Sequence, residues 1–217
     1  MPTANQADRQ LKKILQKAGI KLSKREKSYN FAKRFADMKR VAYKGLTFEP
    51  YIESSRIQAR ITELASEITK EYEGKTPLFI CVLNGAVPFA AALFQQINTD
   101  CEITFIRLKS YEGTSTTGVV KEVLGLAEDI SGRDVIIVED IIDTGFTIER
   151  LIEGIKGKTP KSVKIATLLL KPEALQTDIK PDYVGFSIPK KFIIGFGLDL
   201  DGLARNLPDI YVLCEDK

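Results

Sequence analysis

The sequence predicts an α/β fold, a mostly parallel, twisted sheet flanked by helices, and three observations carry that expectation. Pro77–Leu83 (PLFICVL), Val135–Val138 (VIIV) and Ser162–Leu170 (SVKIATLLL) are near-continuous apolar runs, the mark of strands buried on both faces. The first two lead through a glycine-bearing turn into a helical pattern. From Pro77 onward the elements follow the order β-α-β-β-β-α-β, which builds right-handed crossovers over a parallel sheet.

Residues 1–44 hold thirteen Lys/Arg against three Asp/Glu, a balance of +10 in a chain of net charge +3, which leaves the remainder at −7. Two regions of different physics are joined. Apolar periodicity in the basic part is confined to Leu11, Ile14 and Leu15, so it is expected to be a weakly packed, partly helical extension. A nucleic-acid arm and an oligomer contact are the alternatives.

The globular part begins near Leu46. Ser54 and Ser55 are candidate N-caps of an amphipathic helix whose Ile57, Ile61, Leu64, Ala65, Ile68 and Tyr72 share one face. Gly74 with Pro77 ends that helix. After the Pro77–Leu83 strand, Asn84-Gly85-Ala86 turns the chain into an apolar helix, Val87–Ile97. Cys101–Leu108 and Val119–Leu124 read as strands on either side of Lys109–Thr117 (KSYEGTSTT), a polar stretch that suits a hairpin loop or a lid that excludes water. Further on, the helix Ile148–Ile155 stops at Gly157, and Tyr183–Ile188, Phe192–Phe196 and Ile210–Cys214 are short strand-like pieces.

Composition excludes several chemistries. The chain has no histidine, which removes His-ligated zinc, His-based triads and His general acid–base catalysis. Any metal must be held by oxygen, which favours Mg²⁺ bound largely through substrate phosphates. Cys81, Cys101 and Cys214 are scattered with no C-x-x-C pair, so buried reduced thiols are expected. No apolar run approaches the roughly 18 residues of a membrane span, and no signal-peptide pattern opens the chain. A cytoplasmic protein is the expectation.

Chemistry concentrates in Val135–Arg150 (VIIVEDIIDTGFTIER). Carboxylates where a buried strand ends are poor core filler, because an unpaired buried carboxylate costs several kcal/mol or more. They fit the carboxyl edge of a parallel sheet, where open α/β folds bind ligands. Asp143-Thr144-Gly145-Phe146-Thr147 then leads backbone N–H groups into a helix N-terminus, an arrangement suited to phosphate. Gly85 would allow a similar close approach of backbone to an anion. Lys171, where the Ser162–Leu170 strand emerges, belongs to the same edge.

VIIVEDIIDTGFT resembles the phosphoribosyl-pyrophosphate signature of type I phosphoribosyltransferases. Over about Leu46–Lys217 the chain resembles the hypoxanthine(-guanine) branch of that family through LNGA (Leu83–Ala86), KSY (Lys109–Tyr111), ISGRDV (Ile130–Val135), LLLK (Leu168–Lys171) and KPDYVGFSIPKKFIIGFGLD (Lys180–Asp199) with Arg205. The resemblance implies a small hood subdomain, from 45–55 and roughly 180–217, above the main sheet of a 45–217 domain. It also implies Mg²⁺-dependent transfer of 5-phosphoribosyl from 5-phosphoribosyl-1-pyrophosphate (PRPP) to N9 of hypoxanthine or guanine, giving IMP or GMP and pyrophosphate. On this resemblance Glu139 and Asp140 serve the ribose hydroxyls and the metal, and Asp143 is the acid/base at purine N7. Thr144, Gly145, Phe146 and Thr147 complete the 5′-phosphate loop. Asn84, Gly85, Ser110, Tyr111 and Arg205 meet pyrophosphate, while Lys171, Phe192, Ile193 and Asp199 meet the purine, Asp199 also reaching the metal.

Two residues depart from the family pattern: Asn84 stands where many relatives carry lysine, and Phe146 replaces a lysine or small residue. The implied partners are the two small-molecule substrates and further copies of the chain, as a homodimer or homotetramer, with neither nucleic acid nor membrane. The competing readings are a regulator of the same fold that binds RNA or nucleotides and a xanthine-preferring transferase.

Overall fold

The computed structural model describes residues 39–109 and 121–214. Residues 1–38, most of the basic extension, lie outside the described residues, as do Ser110 and Tyr111 and the rest of the stretch up to Thr117. Among the described residues no helix is long and apolar enough to cross a membrane.

The described chain opens with β1 (Val41–Tyr43) and β2 (Leu46–Ile52), followed by α1 (Ser54–Glu71). The order then runs β3 (Leu78–Leu83), α2 (Val87–Phe94), β4 (Glu102–Lys109), β5 (Lys121–Leu124), β6 (Asp134–Ile142), α3 (Phe146–Lys156) and β7 (Ser162–Leu170). This is the expected β-α-β-β-β-α-β sequence. After a 3₁₀ turn at Pro172–Ala174 come β8 (Tyr183–Ser187), β9 (Ile193–Ile194) and β10 (Ile210–Leu213).

Six strands form the larger sheet in the order β5-β4-β3-β6-β7-β8. All pairings are parallel except that of β5 with β4. The chain steps from β3 outward to β4, then returns to the other side of β3 for β6. That reversal is a topological switch point, and ligands of open α/β sheets bind beyond the strand ends there. The alternation of β6 explains its double burial. Ile136 and Val138 enter the core under α1 and α2, while Val135 and Ile137 pack with Ile148, Leu151 and Ile155 of α3.

The smaller sheet, β1-β2-β10-β9, is antiparallel. Its membership departs from the expected boundaries at both ends. Val41–Tyr43, within the expected extension, pairs with Leu46–Phe48, because alternating residues there find a hairpin partner. Tyr183–Ser187, placed with the hood by sequence, is instead the edge strand of the larger sheet beside β7.

Several boundaries shift for identifiable reasons. Ser54 and Ser55 lie inside α1 and are not its caps; Glu53 is the cap residue, and Asp209 Oδ1 accepts the Ser54 N–H at 2.7 Å. A distant carboxylate has taken the capping role, which local sequence cannot reveal. The α2 helix ends at Phe94, short of Ile97, in a turn closed by Gln96 N–H to the Leu93 carbonyl at 3.0 Å. Only Ile193–Ile194 of Phe192–Phe196 is strand, since Gly195, Phe196 and Gly197 all adopt positive φ. Cys81 is buried as expected, and burial pushes its thiol up to about 12; Cys101 and Cys214 are half-buried.

Candidate active site

Of the expected site residues, Asn84 and Gly85, Glu139 to Thr147, and Lys171 lie at or just beyond the C-terminal ends of β3, β6 and β7, while Phe192, Ile193, Asp199 and Arg205 lie in the hood. Glu139 and Asp140 lie within β6, which continues to Ile142, so the acids are in the strand and not beyond its end. Both are buried. Burial, followed by the hydrogen bond and charge of Asp140, pushes the Glu139 carboxyl well above the usual carboxylate range. Glu139 Oε2 has no hydrogen-bond partner. Asp140 Oδ1 accepts the Ile141 N–H at 3.0 Å.

Gly85 sits directly against Asp140: a Cβ on Gly85 would meet Asp140 Oδ2 at 1.8 Å. The turn after β3 and the acids of β6 are thus in van der Waals contact through bare backbone. Asn84 is exposed at this turn, and the Leu83–Asn84 peptide is cis.

Asp143 follows β6 immediately. Its carboxylate accepts a hydrogen bond from Lys171 Nζ at 2.7 Å. Lys171 is buried, with 9% of its side chain exposed, whereas 44% of the Asp143 side chain is accessible. The Lys171 backbone N–H donates to the Ile142 carbonyl at 2.9 Å, extending the β6–β7 pairing so that the two charges meet. No side chain caps α3; Gly145 is the cap residue, at φ +89°. That left-handed conformation explains the glycine, and the first N–H groups of α3 are left without a side-chain cap. Thr147 and Phe146 are exposed on the first turn, Phe146 at 42%, so its aromatic ring stays out of the core. Thr144 is half-buried and its carbonyl accepts the Gln176 N–H at 2.9 Å.

On the hood side, Gly197 presses against the same turn. A Cβ on Gly197 would meet the Gly85 carbonyl oxygen at 2.0 Å. Arg205 uses its guanidinium locally: Nη1 donates to the Gly197 carbonyl at 2.6 Å and Nη2 meets Asp199 Oδ1 at 2.7 Å. Asp199 Oδ2 accepts the Gly202 N–H at 2.6 Å. Arg205 thus ties the Asp199 loop to the Gly197–Gly85 contact. Glu139, Asp140 and Asp199 do not converge, and no group of three Asp, Glu or Cys side chains able to hold a metal ion exists among the described residues. Phe192 is 46% exposed, and Ile193 is buried in β9.

Some contributors leave no clear mark in the sequence. Thr177 lies behind the phosphate-ready loop, its Oγ1 buried without a partner and 2.1 Å from where a Gly145 Cβ would be. Phe48 backs Phe192, with ring centroids 6.1 Å apart. Gly197 had a visible signal, since closely spaced glycines often mark close backbone approach. Thr177 and Phe48 had none.

A switch-point crevice with adjacent acids, a phosphate-ready helix start and an Asp–Lys pair defines the class. Residues 51–201 match the phosphoribosyl transferase domain family, and the chain belongs to that family. It is 48% identical over 161 residues to the hypoxanthine-guanine phosphoribosyltransferase of Streptococcus thermophilus, covering 74% of this chain and 89% of the relative. Among solved structures it resembles a hypoxanthine-guanine phosphoribosyltransferase from Bacillus anthracis with a TM-score of 0.72 and 41% identity, covering 76% of this chain and 98% of that one. A hypoxanthine phosphoribosyltransferase from Staphylococcus aureus superposes with a TM-score of 0.73 at 38% identity, covering 76% and 91%.

Proposed function

We propose that this protein is a purine-salvage enzyme that transfers 5-phosphoribosyl from PRPP to N9 of hypoxanthine or guanine. The C1′–O bond to pyrophosphate breaks, the C1′–N9 bond forms, and the purine ring gives up one proton. The observation that carries the reading is the 2.7 Å ion pair between Lys171 and Asp143 at the start of the phosphate loop. It brings a fixed cation and a mobile proton acceptor to one point, as a 6-oxopurine requires. Lys171 donates to O6; an ammonium has no acceptor to offer a 6-amino group, so adenine is disfavoured. Asp143 receives the ring proton at N7. The arriving purine exchanges an internal ion pair for two contacts of its own, so Lys171 and Asp143 are satisfied before and after.

The 5′-phosphate lies on the N–H groups of Thr144–Thr147, with the Thr144 and Thr147 hydroxyls as further donors. Buried Glu139, with its unpartnered Oε2, and Asp140 receive the ribose hydroxyls. The Gly85 turn and Arg205 face pyrophosphate, with Asn84 at the same turn; the resemblance assigns Ser110 and Tyr111, which lie outside the described residues, to the same group. Phe192 stacks on the base, and the Ile193 backbone and Asp199 meet its edge.

Mg²⁺ suits this donor set. It takes one or two carboxylates and completes its octahedron with substrate phosphate and water, and here separated carboxylates flank a bare-backbone turn instead of forming a cage. Glu139 and Asp140 on β6, or Asp199 on the hood side, would supply those one or two carboxylates to the ion, which would supply charge neutralisation to the leaving pyrophosphate. A homodimer or homotetramer is the assembly we expect, to be read by light scattering.

The test is incubation with PRPP, Mg²⁺ and, separately, hypoxanthine, guanine, xanthine and adenine, with chromatographic detection of nucleotide. IMP and GMP should form, adenine should give no AMP, and the xanthine arm ranks the third oxopurine. Failure of all four would sink the enzymatic reading.

A further inference from the structure

We propose that Phe48 is a positioning residue for the purine, acting through the ring of Phe192; the inference rests on the base-stacking role given to Phe192 above. Phe192 precedes the two-residue strand β9 and leaves 46% of its surface exposed. Such a ring offers a stacking face only if something fixes its angle. Phe48 of β2 is fully buried, and the two ring centroids lie 6.1 Å apart with the planes tilted by 43°, within the range of favourable aromatic pairs.

The backbone reinforces the contact. Phe48 is the cross-strand partner of Leu213 in β10, and Leu213 N–H donates to the Phe192 carbonyl at 3.0 Å. Phe48, Leu213 and Phe192 thus lie in one row across three neighbouring segments of the hood. Ile194, Ala204 and Tyr211 close the pocket around Phe48, so its own position is fixed by packing. The row runs from a rigid buried aromatic to an exposed one, and only the exposed one is available to a ligand. A smaller side chain at 48 would leave a void under the stacking ring and let it tilt, so purine capture would weaken while the PRPP-binding elements of β3, β6 and α3 stay as they are.

The test is steady-state kinetics of Phe48→Leu, Phe192→Leu and the double variant, each varying hypoxanthine and PRPP separately. Phe48→Leu should raise the hypoxanthine KM about two- to tenfold, the span of an aromatic pair's contribution, with the PRPP KM and saturating kcat within about twofold of the parent. Phe192→Leu should have a larger effect of the same kind, and the double variant should be no worse than Phe192→Leu alone, because the two residues form one unit. An unchanged hypoxanthine KM, parallel rises in both KM values, or additive effects in the double variant would overturn the proposal. Should Phe48→Leu fail to fold by circular dichroism, Phe48→Met, which refills the pocket with a flexible chain, is measured in the same way and decides the proposal on the same outcomes. A parent protein inactive with every purine would sink the purine reading and this inference with it. An active parent with an insensitive position 48 sinks this inference alone.

Discussion

Gly197→Ala tests the contact that joins the hood to the pyrophosphate turn. The added Cβ would stand 2.0 Å from the Gly85 carbonyl oxygen and 3.1 Å from Pro88 Cδ. Ordinary contact begins near 3.4 Å, so the two backbones must separate by about 1.4 Å. Gly85 is itself crowded, with Asp140 Oδ2 1.8 Å from where its own Cβ would be. At φ +100° an L-residue also carries roughly 1–2 kcal/mol of backbone strain, and crowding adds about 1–3 kcal/mol. If the hood yields, stability falls by roughly 2–5 kcal/mol. If the turn yields, a displacement of about 1 Å next to the reacting centre costs on the order of 10²-fold in rate. Gly202→Ala is the internal control. It has φ +85° in the same loop and nothing within 4 Å of its Cβ, so it should lose only the strain and keep kcat/KM within about threefold. The assay is kcat/KM for PRPP beside thermal unfolding for both variants. A Gly197→Ala protein with parental melting temperature and kcat/KM, or a Gly202→Ala protein equally impaired, would refute the reasoning.

Other expectations follow from the same geometry. Lys171→Gln removes the cation from the Asp143 pair and should lower kcat/KM for hypoxanthine about 10- to 100-fold, a charged hydrogen bond's worth, while narrowing the preference over adenine; an unaltered hypoxanthine-to-adenine ratio would contradict the O6 role. Thr177→Val replaces a buried hydroxyl that has no partner with a methyl of the same shape, so it should stabilise by about 1 kcal/mol or more, roughly 2–4 °C in a chain of this size, with turnover intact; a lower melting temperature would show that the hydroxyl has a partner after all. Lys164 and the Tyr183 hydroxyl, the latter at 2.5 Å, hold Glu71 below its ordinary 4.5, and Ser162 with Lys161 holds Asp134 below 3.8. Depressed carboxylates stabilise the fold above their unfolded values and lose that contribution as pH falls through the folded ones. Stability should therefore decline below about pH 4.5, and Glu71→Gln should flatten that acid-side decline in denaturation curves taken at pH 3–6; a parallel curve would remove Glu71 from the account.

The larger sheet was legible because PLFICVL, VIIVED and SVKIATLLL are buried on both faces, and such runs need only local reading. The turn into α3 was legible too, since its glycine, Gly145, adopts positive φ at the helix start. What escaped was set by contacts between distant residues. Asp209 caps α1 from 155 positions away, and no pattern near Ser54 announces it. Tyr183–Ser187 looks like any short strand, and its place beside β7 depends on that edge being open. The hold of Asp199 and the Gly197 carbonyl on the Arg205 guanidinium is a matter of loop closure. Lys171 and Asp143 are 28 residues apart, and each looked functional alone. Their pairing emerged only when β6 and β7 were set side by side.

That pairing is the centre of the account, and Asp143→Asn examines it most directly. The amide keeps the shape of the side chain and its hydrogen bonding to Lys171 but cannot take the purine proton. PRPP affinity measured by calorimetry should remain within about threefold of the parent, while single-turnover formation of IMP should slow by roughly 10²–10⁴-fold, the usual weight of a general acid–base group. A variant that binds PRPP normally and forms IMP at the parental rate would contradict the assignment of Asp143 and the reading of the site built on it.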